Sequence, residues 1–238
     1  MTEIPAKPII FSGPMVRGIL EDRKTKTRRV SGLEDVNKYP GKLEGEGMMG
    51  PLGYRGLCPS DYYIRNKKAY AANPELYHWF VGEQNGEVNP IPVKCRYKVG
   101  DLLWVRETWS YITLAENENP DGCLPDGTPV SLLYRADADG WDNDVPWIPS
   151  IHMFRWASRI TLEVTEVRVE RLNCISEADA VAEGVGAIGQ AIIKSEEFGC
   201  DMPGAVYQYA CLWNKINGSK YPWSSNCHVW VISFRSVE

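Results

Sequence analysis

The chain has no apolar run near the ~18 residues that a membrane span needs. Its opening, MTEIPAKPIIFSG, lacks the basic, apolar and small-residue order of a secretory signal. Both absences lead us to expect a cytoplasmic protein with no membrane partner. Seven cysteines are scattered at Cys58, Cys95, Cys123, Cys174, Cys200, Cys211 and Cys227, and no two of them form a CxxC pair. An odd, dispersed set argues against a disulfide framework and fits a reducing compartment. Only Cys227 and His228 are neighbours, so no zinc spacing is present, and neither a metal nor a cofactor is expected. There is no P-loop, no GxGxxG after a strand, no HExxH and no GxSxG. P-loop nucleotide hydrolysis, dinucleotide chemistry and metalloprotease activity lose their usual support.

What is present is ordinary globular material: 238 residues, 44% hydrophobic and 24% charged, with net charge -5. Against that acidic average stands EDRKTKTRRV, residues 21–30. Arg23, Lys24, Lys26, Arg28 and Arg29 put five cations within seven residues. A nucleic-acid surface on an acidic protein has to be a local patch of this kind.

Periodicity gives the elements. SGPMVRGILED, residues 12–22, reads as a helix with Ser12 at its cap and Pro14 in its first turn. KTKTRR then alternates two-fold, so a strand is expected over about 24–30, with Lys24, Lys26 and Arg28 on one side and Thr25, Thr27 and Arg29 on the other. Residues 31–94 are rich in glycine, proline and tyrosine and hold no period. They read as an insertion with a short helix near 66–80. Leu102 to Val105 and VSLLYRAD read as strands. ASRITLEVTEVRVERL alternates, but Ile160, Leu162 and Val164 are out of phase with Val167 and Val169, which predicts a bulge or bend. Ser176 and Asp179 make a capping box, and Gly184 closes that short helix. PGAVYQYACLWNKING is a helix from Pro203 to Gly218, with a stripe of Val206, Tyr209, Ala210, Trp213 and Ile216. HVWVISFRSV is a last strand. This order reads as α+β around a small curved sheet. A single domain over 1–238 is expected, with 31–94 inserted into it.

Taken together, the segments PIIFSGPMVRGILEDRKTKTRR, VGDLLWVRETW, WIPSIHMFRWASRITLEVTEVRVERL, ISEADAVAEGV, LWNKING and WVISFRSV resemble the ASCH domain family, and within it a phage and prophage branch. The likeness covers residues 8–30 and 95–238 and leaves out the insertion. Phe154 stands where this branch usually has the proline of MPRWASR. The resemblance implies a PUA-like small curved β-barrel with flanking helices. It also implies cytoplasmic residence (the host cytoplasm, for a phage-encoded chain) and a nucleoside, nucleotide or RNA ligand. In the family's small bacterial members, a lysine and a threonine of a G-R-K-T-x-T-x-R segment act with a downstream glutamate in amide hydrolysis of N4-acetylcytidine. By that resemblance Lys24 is the base, Thr27 the nucleophile and Glu183, in AVAEGV, the acid. Asp22 replaces the motif's first glycine.

The chemistry suits these residue types. A threonine hydroxyl needs an adjacent base, and a carboxyl group can protonate a leaving amine. Lys24 and Thr27 lie an odd number of residues apart, so a regular strand would turn them to opposite faces. They converge only where the helix-to-strand junction is irregular. Arg23, Thr25, Lys26, Arg28 and Arg29 would line the same wall and meet phosphate. The plainer reading is an edge strand that uses its charges to deter aggregation. Glu107 ends an apolar strand and is either a cleft acid or a salt-bridge partner. His152, Arg155, Trp156 and Arg159 form a polar and aromatic cluster that would stack on an unpaired base or simply close a barrel loop. Fold does not fix the reaction. An amidohydrolase, a ribonuclease or non-enzymatic RNA or modified-base binder in the same cleft, and an accessory protein that takes a protein partner through residues 31–94 all stay open.

Overall fold

The computed structural model describes residues 6–37, 53–57, 77–84, 87–114, 120–138, 145–186 and 192–237. Its strands in chain order are β1 (Lys7–Ile10), β2 (Lys26–Arg29), β3 (Gly53–Leu57), β4 (Tyr77–Gln84), β5 (Glu87–Lys94), β6 (Leu102–Arg106) and β7 (Trp109–Thr113). They continue with β8 (Gly122–Cys123), β9 (Pro129–Tyr134), β10 (Thr161–Arg171), β11 (Ile192–Ser195), β12 (Cys200–Pro203) and β13 (His228–Val237). The helices are α1 (Gly13–Leu20), α2 (Glu34–Asn37), α3 (Glu177–Ala182) and α4 (Gly204–Asn217). The class is α+β. Among the described residues there are four sheets, none closed on itself: β1-β6-β10-β13-β2, β3-β4-β5, β7-β9-β8 and β11-β12. The largest is mixed, with β1 parallel to β6 and β13 antiparallel to β2.

The chain divides into two compact units. One comprises Met1–Thr25, Gly100–Val164 and Phe234–Glu238; the other comprises Lys26–Val99 and Thr165–Ser233.

In the first unit, β6 is Leu-Leu-Trp-Val-Arg, with Leu103, Trp104 and Val105 all buried. A strand covered on both faces reads as a continuous apolar run rather than an alternating one. In α1, Ser12 occupies the cap position, but its side chain makes no capping hydrogen bond, and Pro14 sits in the first turn as expected. Val16 and Ile19 form the buried face. Asp22 then turns left-handed, at φ 54°, and the backbone amides of Arg23 and Lys24 both donate to the Gly18 carbonyl at 2.8 Å. The junction is therefore irregular, and regular strand begins only at Lys26.

In the second unit, α4 carries the expected stripe. Ala205, Val206, Tyr209, Ala210 and Trp213 are buried, while Ile216 is 53% exposed. The stripe packs with Leu172, Met202, Trp223, Val229 and Val231. In α3, Ser176 accepts a hydrogen bond from the Asp179 amide at 3.1 Å, and Gly184 leaves the helix at φ +94°.

The slip of phase in β10 has a physical counterpart. Leu162 and Val164 are buried, Thr165 and Glu166 are exposed, and Val169 is buried again. The chain leaves the first unit between Val164 and Thr165. The helix expected over 66–80 is corrected at its end: Tyr77 to Phe80 belong to β4, paired with β5. Residues 66–76 lie outside the described residues.

Candidate functional site

Alternation along β2 sends Lys26 and Arg28 to one face and Thr27 and Arg29 to the other. The first pair meets carboxylates. Lys26 Nζ donates to Asp179 Oδ1 at 2.5 Å. Arg28 donates from Nη1 to Glu183 Oε1 (3.2 Å) and from Nη2 to Asp179 Oδ2 (3.0 Å) and Glu170 Oε2 (3.1 Å). Arg168 joins the network through Asp179 Oδ2 (2.8 Å) and Glu170 Oε1 (2.6 Å). The Arg28 side chain has no solvent exposure, and its guanidinium lies over the Tyr209 ring at 5.8 Å. Burial opposes the Arg28 charge, but Glu183 and the other acids outweigh it and hold the group above its ordinary value. Burial also raises the Asp179 carboxyl, yet Lys26 and Arg28 bring it to a net position below its usual range. Two members of the basic wall expected from sequence, Lys26 and Arg28, thus have their charge met by acids of α3, its C-cap residue Glu183 and β10.

Burial along the run is uneven. Arg23 and Thr25 are exposed, Lys26 and Arg29 intermediate, while Lys24, Thr27 and Arg28 are 1%, 1% and 3% exposed. Lys24 Nζ lies 5.5 Å from the centre of the Phe11 ring. Glu183 is 4% exposed and is the C-cap residue of α3. Arg23 pairs with Glu21, two residues away.

In the first unit, Glu107 follows β6 and is 1% exposed. Arg159 grips it with Nε on Oε1 (2.9 Å) and Nη2 on Oε2 (3.1 Å), and grips Asp137 on its other edge. The guanidinium lies 3.9 Å from the centre of the Tyr134 ring. Burial raises the Glu107 carboxyl despite Arg159. Burial likewise pushes the Tyr134 phenol up to about 12. The salt-bridge reading of Glu107 is the one realised, with Arg159 as its partner and not a residue of the basic strand.

The 150–156 segment builds a second feature. Ser150–His152 is a single 3-10 turn, after which Met153 and Ala157 insert beside Trp109. His152, Phe154, Arg155 and Trp156 stay exposed. Trp109, Tyr111, Leu124, Ile148, His152 and Phe154 line a pocket of about 380 Å³, with Asp126 also on its wall. Phe154 and Trp156 stack at 6.0 Å with their planes 11° apart, and Trp156 meets Trp109 edge-on at 6.2 Å. Arg155 lies 5.9 Å, and Arg106 4.6 Å, from the centre of the Trp104 ring.

Of the expected cluster, His152 lines the pocket beside Phe154, Trp156 stacks on Phe154 and Arg155 lies over Trp104, while Arg159 is bound to Glu107 and Asp137. Phe154, Tyr111 and Trp109 were not singled out as ligand-contacting residues. The available signal was the Phe154-Arg155-Trp156 run itself, two aromatics flanking a cation. Asp137, Tyr134 and Glu170 carried no signal, because each acts through a partner far away in the chain. Among the described residues no cluster of three or more histidine, cysteine or acidic side chains could hold a metal ion, and no helix is long and apolar enough to cross a membrane. Compared with known proteins, the chain matches no family model, no curated protein and no solved structure.

Proposed function

We propose that the chain is an ASCH-type protein with a PUA-like core, and that it hydrolyses the amide of an N4-acylated cytidine-type nucleoside. By the resemblance, Lys24 is the base, Thr27 the nucleophile and Glu183 the acid, although β2 turns Thr27 away from the face on which Arg28 holds Glu183. The observation that carries this reading is the selective burial of Lys24. Its neighbours Arg23 and Thr25 are in solvent, while the lysine is 1% exposed. Lysine is among the residues least often buried, because its charge is costly to bring inside unless it is paired and hydrogen-bonded. Local choices that work against stability concentrate at functional sites. The left-handed turn at Asp22, which ties the Lys24 amide to Gly18, supports an irregular junction of the kind this chemistry needs. The slip of phase in β10 supports a sheet that curls.

A second reading is recognition of RNA or a modified base without turnover. The Arg28–Glu183 contact leaves room for it, since it gives Glu183 a structural role as an ion-pair partner without any catalytic one. A turnover assay on a panel of N4-acylated cytidines, with short RNAs in parallel, separates the two. Release of cytidine is expected from the wild type, with at least a ~10²-fold loss in Lys24→Ala and in Thr27→Val, the scale of losing a positioned base or nucleophile. An undiminished rate in Thr27→Val removes that residue as nucleophile. Cleaved RNA beside intact nucleosides turns the reading to a ribonuclease.

A further inference from the structure

The aromatic pocket of the first unit has no part in the hydrolysis proposed above. Its volume of about 380 Å³ falls in the range of small-ligand sites, at the size for one ring system and its substituents. Trp109 lines it and is 1% exposed, and its indole N–H has no acceptor among the described residues. A buried indole N–H ordinarily finds one. Phe154 and Trp156 are 43% and 39% exposed, and they stand with their planes nearly parallel. Large aromatics usually turn inward, so two parallel exposed rings beside a pocket mark a binding surface.

We infer that this pocket holds one unstacked base of a single-stranded nucleic acid, and that Phe154 and Trp156 stack the base next to it. The Asp126 carboxylate, held low by its hydrogen bonds from Thr128, is an acceptor for an exocyclic amine. Arg155 and Arg106 supply positive charge on the side of Trp104, where a phosphate can lie. Aromatic faces interleaved with guanidinium groups are the combination that single-strand binders use, and an apolar peptide would not need the cations.

The platform is fixed by packing. A Cβ on Gly122 would lie 2.5 Å from the Trp156 ring, so the indole rests directly on the β8 backbone. Gly122→Ala therefore displaces Trp156 while keeping every aromatic residue.

The inference rests on the nucleic-acid side of the reading above, and the test keeps it apart from the hydrolytic side. Fluorescence anisotropy is measured with labelled oligoadenylate and oligouridylate of about eight nucleotides, each as RNA and as DNA. Near-ultraviolet circular dichroism of each variant checks that it is folded. Saturable binding is expected, weakened about tenfold by Phe154→Ala, by Trp156→Ala and by Gly122→Ala, as loss of base stacking would give. Arg155→Ala should lower the slope of affinity against salt by about one unit. The RNA and DNA arms tell whether the sugar is read. Lys24→Ala should keep its affinity even where it loses nucleoside hydrolysis, so absence of turnover leaves the inference standing. Absence of saturable binding, or affinities unchanged in all three platform variants, overturns it. So does an equal loss in Lys24→Ala, which would merge the two sites.

Discussion

Arg28 is the residue on which three carboxylates of the second unit converge. Its guanidinium meets Glu183, Asp179 and Glu170 with no exposure to water. Removing one partner of such a cluster leaves carboxylates that have been dehydrated without compensation. Arg28→Met should lower stability by about 3–5 kcal/mol, seen as a fall in the urea midpoint at constant slope. Lys26→Met, at a side chain 25% exposed, should cost no more than about 1 kcal/mol. Equal falls in the two would mean that the acids do not depend on Arg28. The cations themselves were plain in the sequence, as five charges in a row of seven. Their partners were not. Asp179 read only as half of a capping box, and nothing local in a sequence says which distant strand a helix will face. Glu107 and Arg159 teach the same point: each was noticed alone, and the pairing between them is a product of the fold.

At the scale of elements, helices and long strands were legible because a period of 3.6 or 2 survives in the side chains. In α4 the expected stripe is the buried one, except for Ile216 at its exposed end. Trp213, 3% exposed, also donates its indole N–H to the Tyr221 carbonyl at 2.7 Å, so it fastens the chain that follows the helix. Trp213→Ala should therefore cost about 3–5 kcal/mol by cavity formation and the lost hydrogen bond together. Thermal denaturation would contradict this if the midpoint moved no more than for an exposed residue such as Ile216→Ala. The short strands were missed where no period can be established. β1 has four residues, β8 two, and the β11-β12 hairpin four on each side. The pocket is lined by two residues of β7 and by loop residues, which carry no period, so its residues were only half visible from spacing.

For the whole molecule, two histidines contribute to the acid limb of stability, beside the depressed carboxyl of Asp179. Burial lowers His78 from the usual 6.5 to about 4, and burial with the nearby Arg171 charge does the same for His228. Above pH 6.5 both states are neutral and this contribution is complete. Below it the unfolded chain takes up protons that the folded chain refuses until about pH 4, so stability falls across that window. The loss should approach roughly 3 kcal/mol per histidine. His78→Phe and His228→Gln should each flatten the slope of unfolding free energy between those limits, and a slope unchanged in both would refute the assignment. Glu107 works in the opposite sense. Its raised carboxyl contributes stability that is present at low pH and lost as pH rises through its folded value. The proposal as a whole stands on Lys24, and the most direct test is the initial rate of cytidine release from N4-acetylcytidine by the wild type and by Lys24→Ala. The account requires measurable turnover that is lost in the variant. Turnover equal in the two proteins, or none in the wild type across the acyl series, would contradict it.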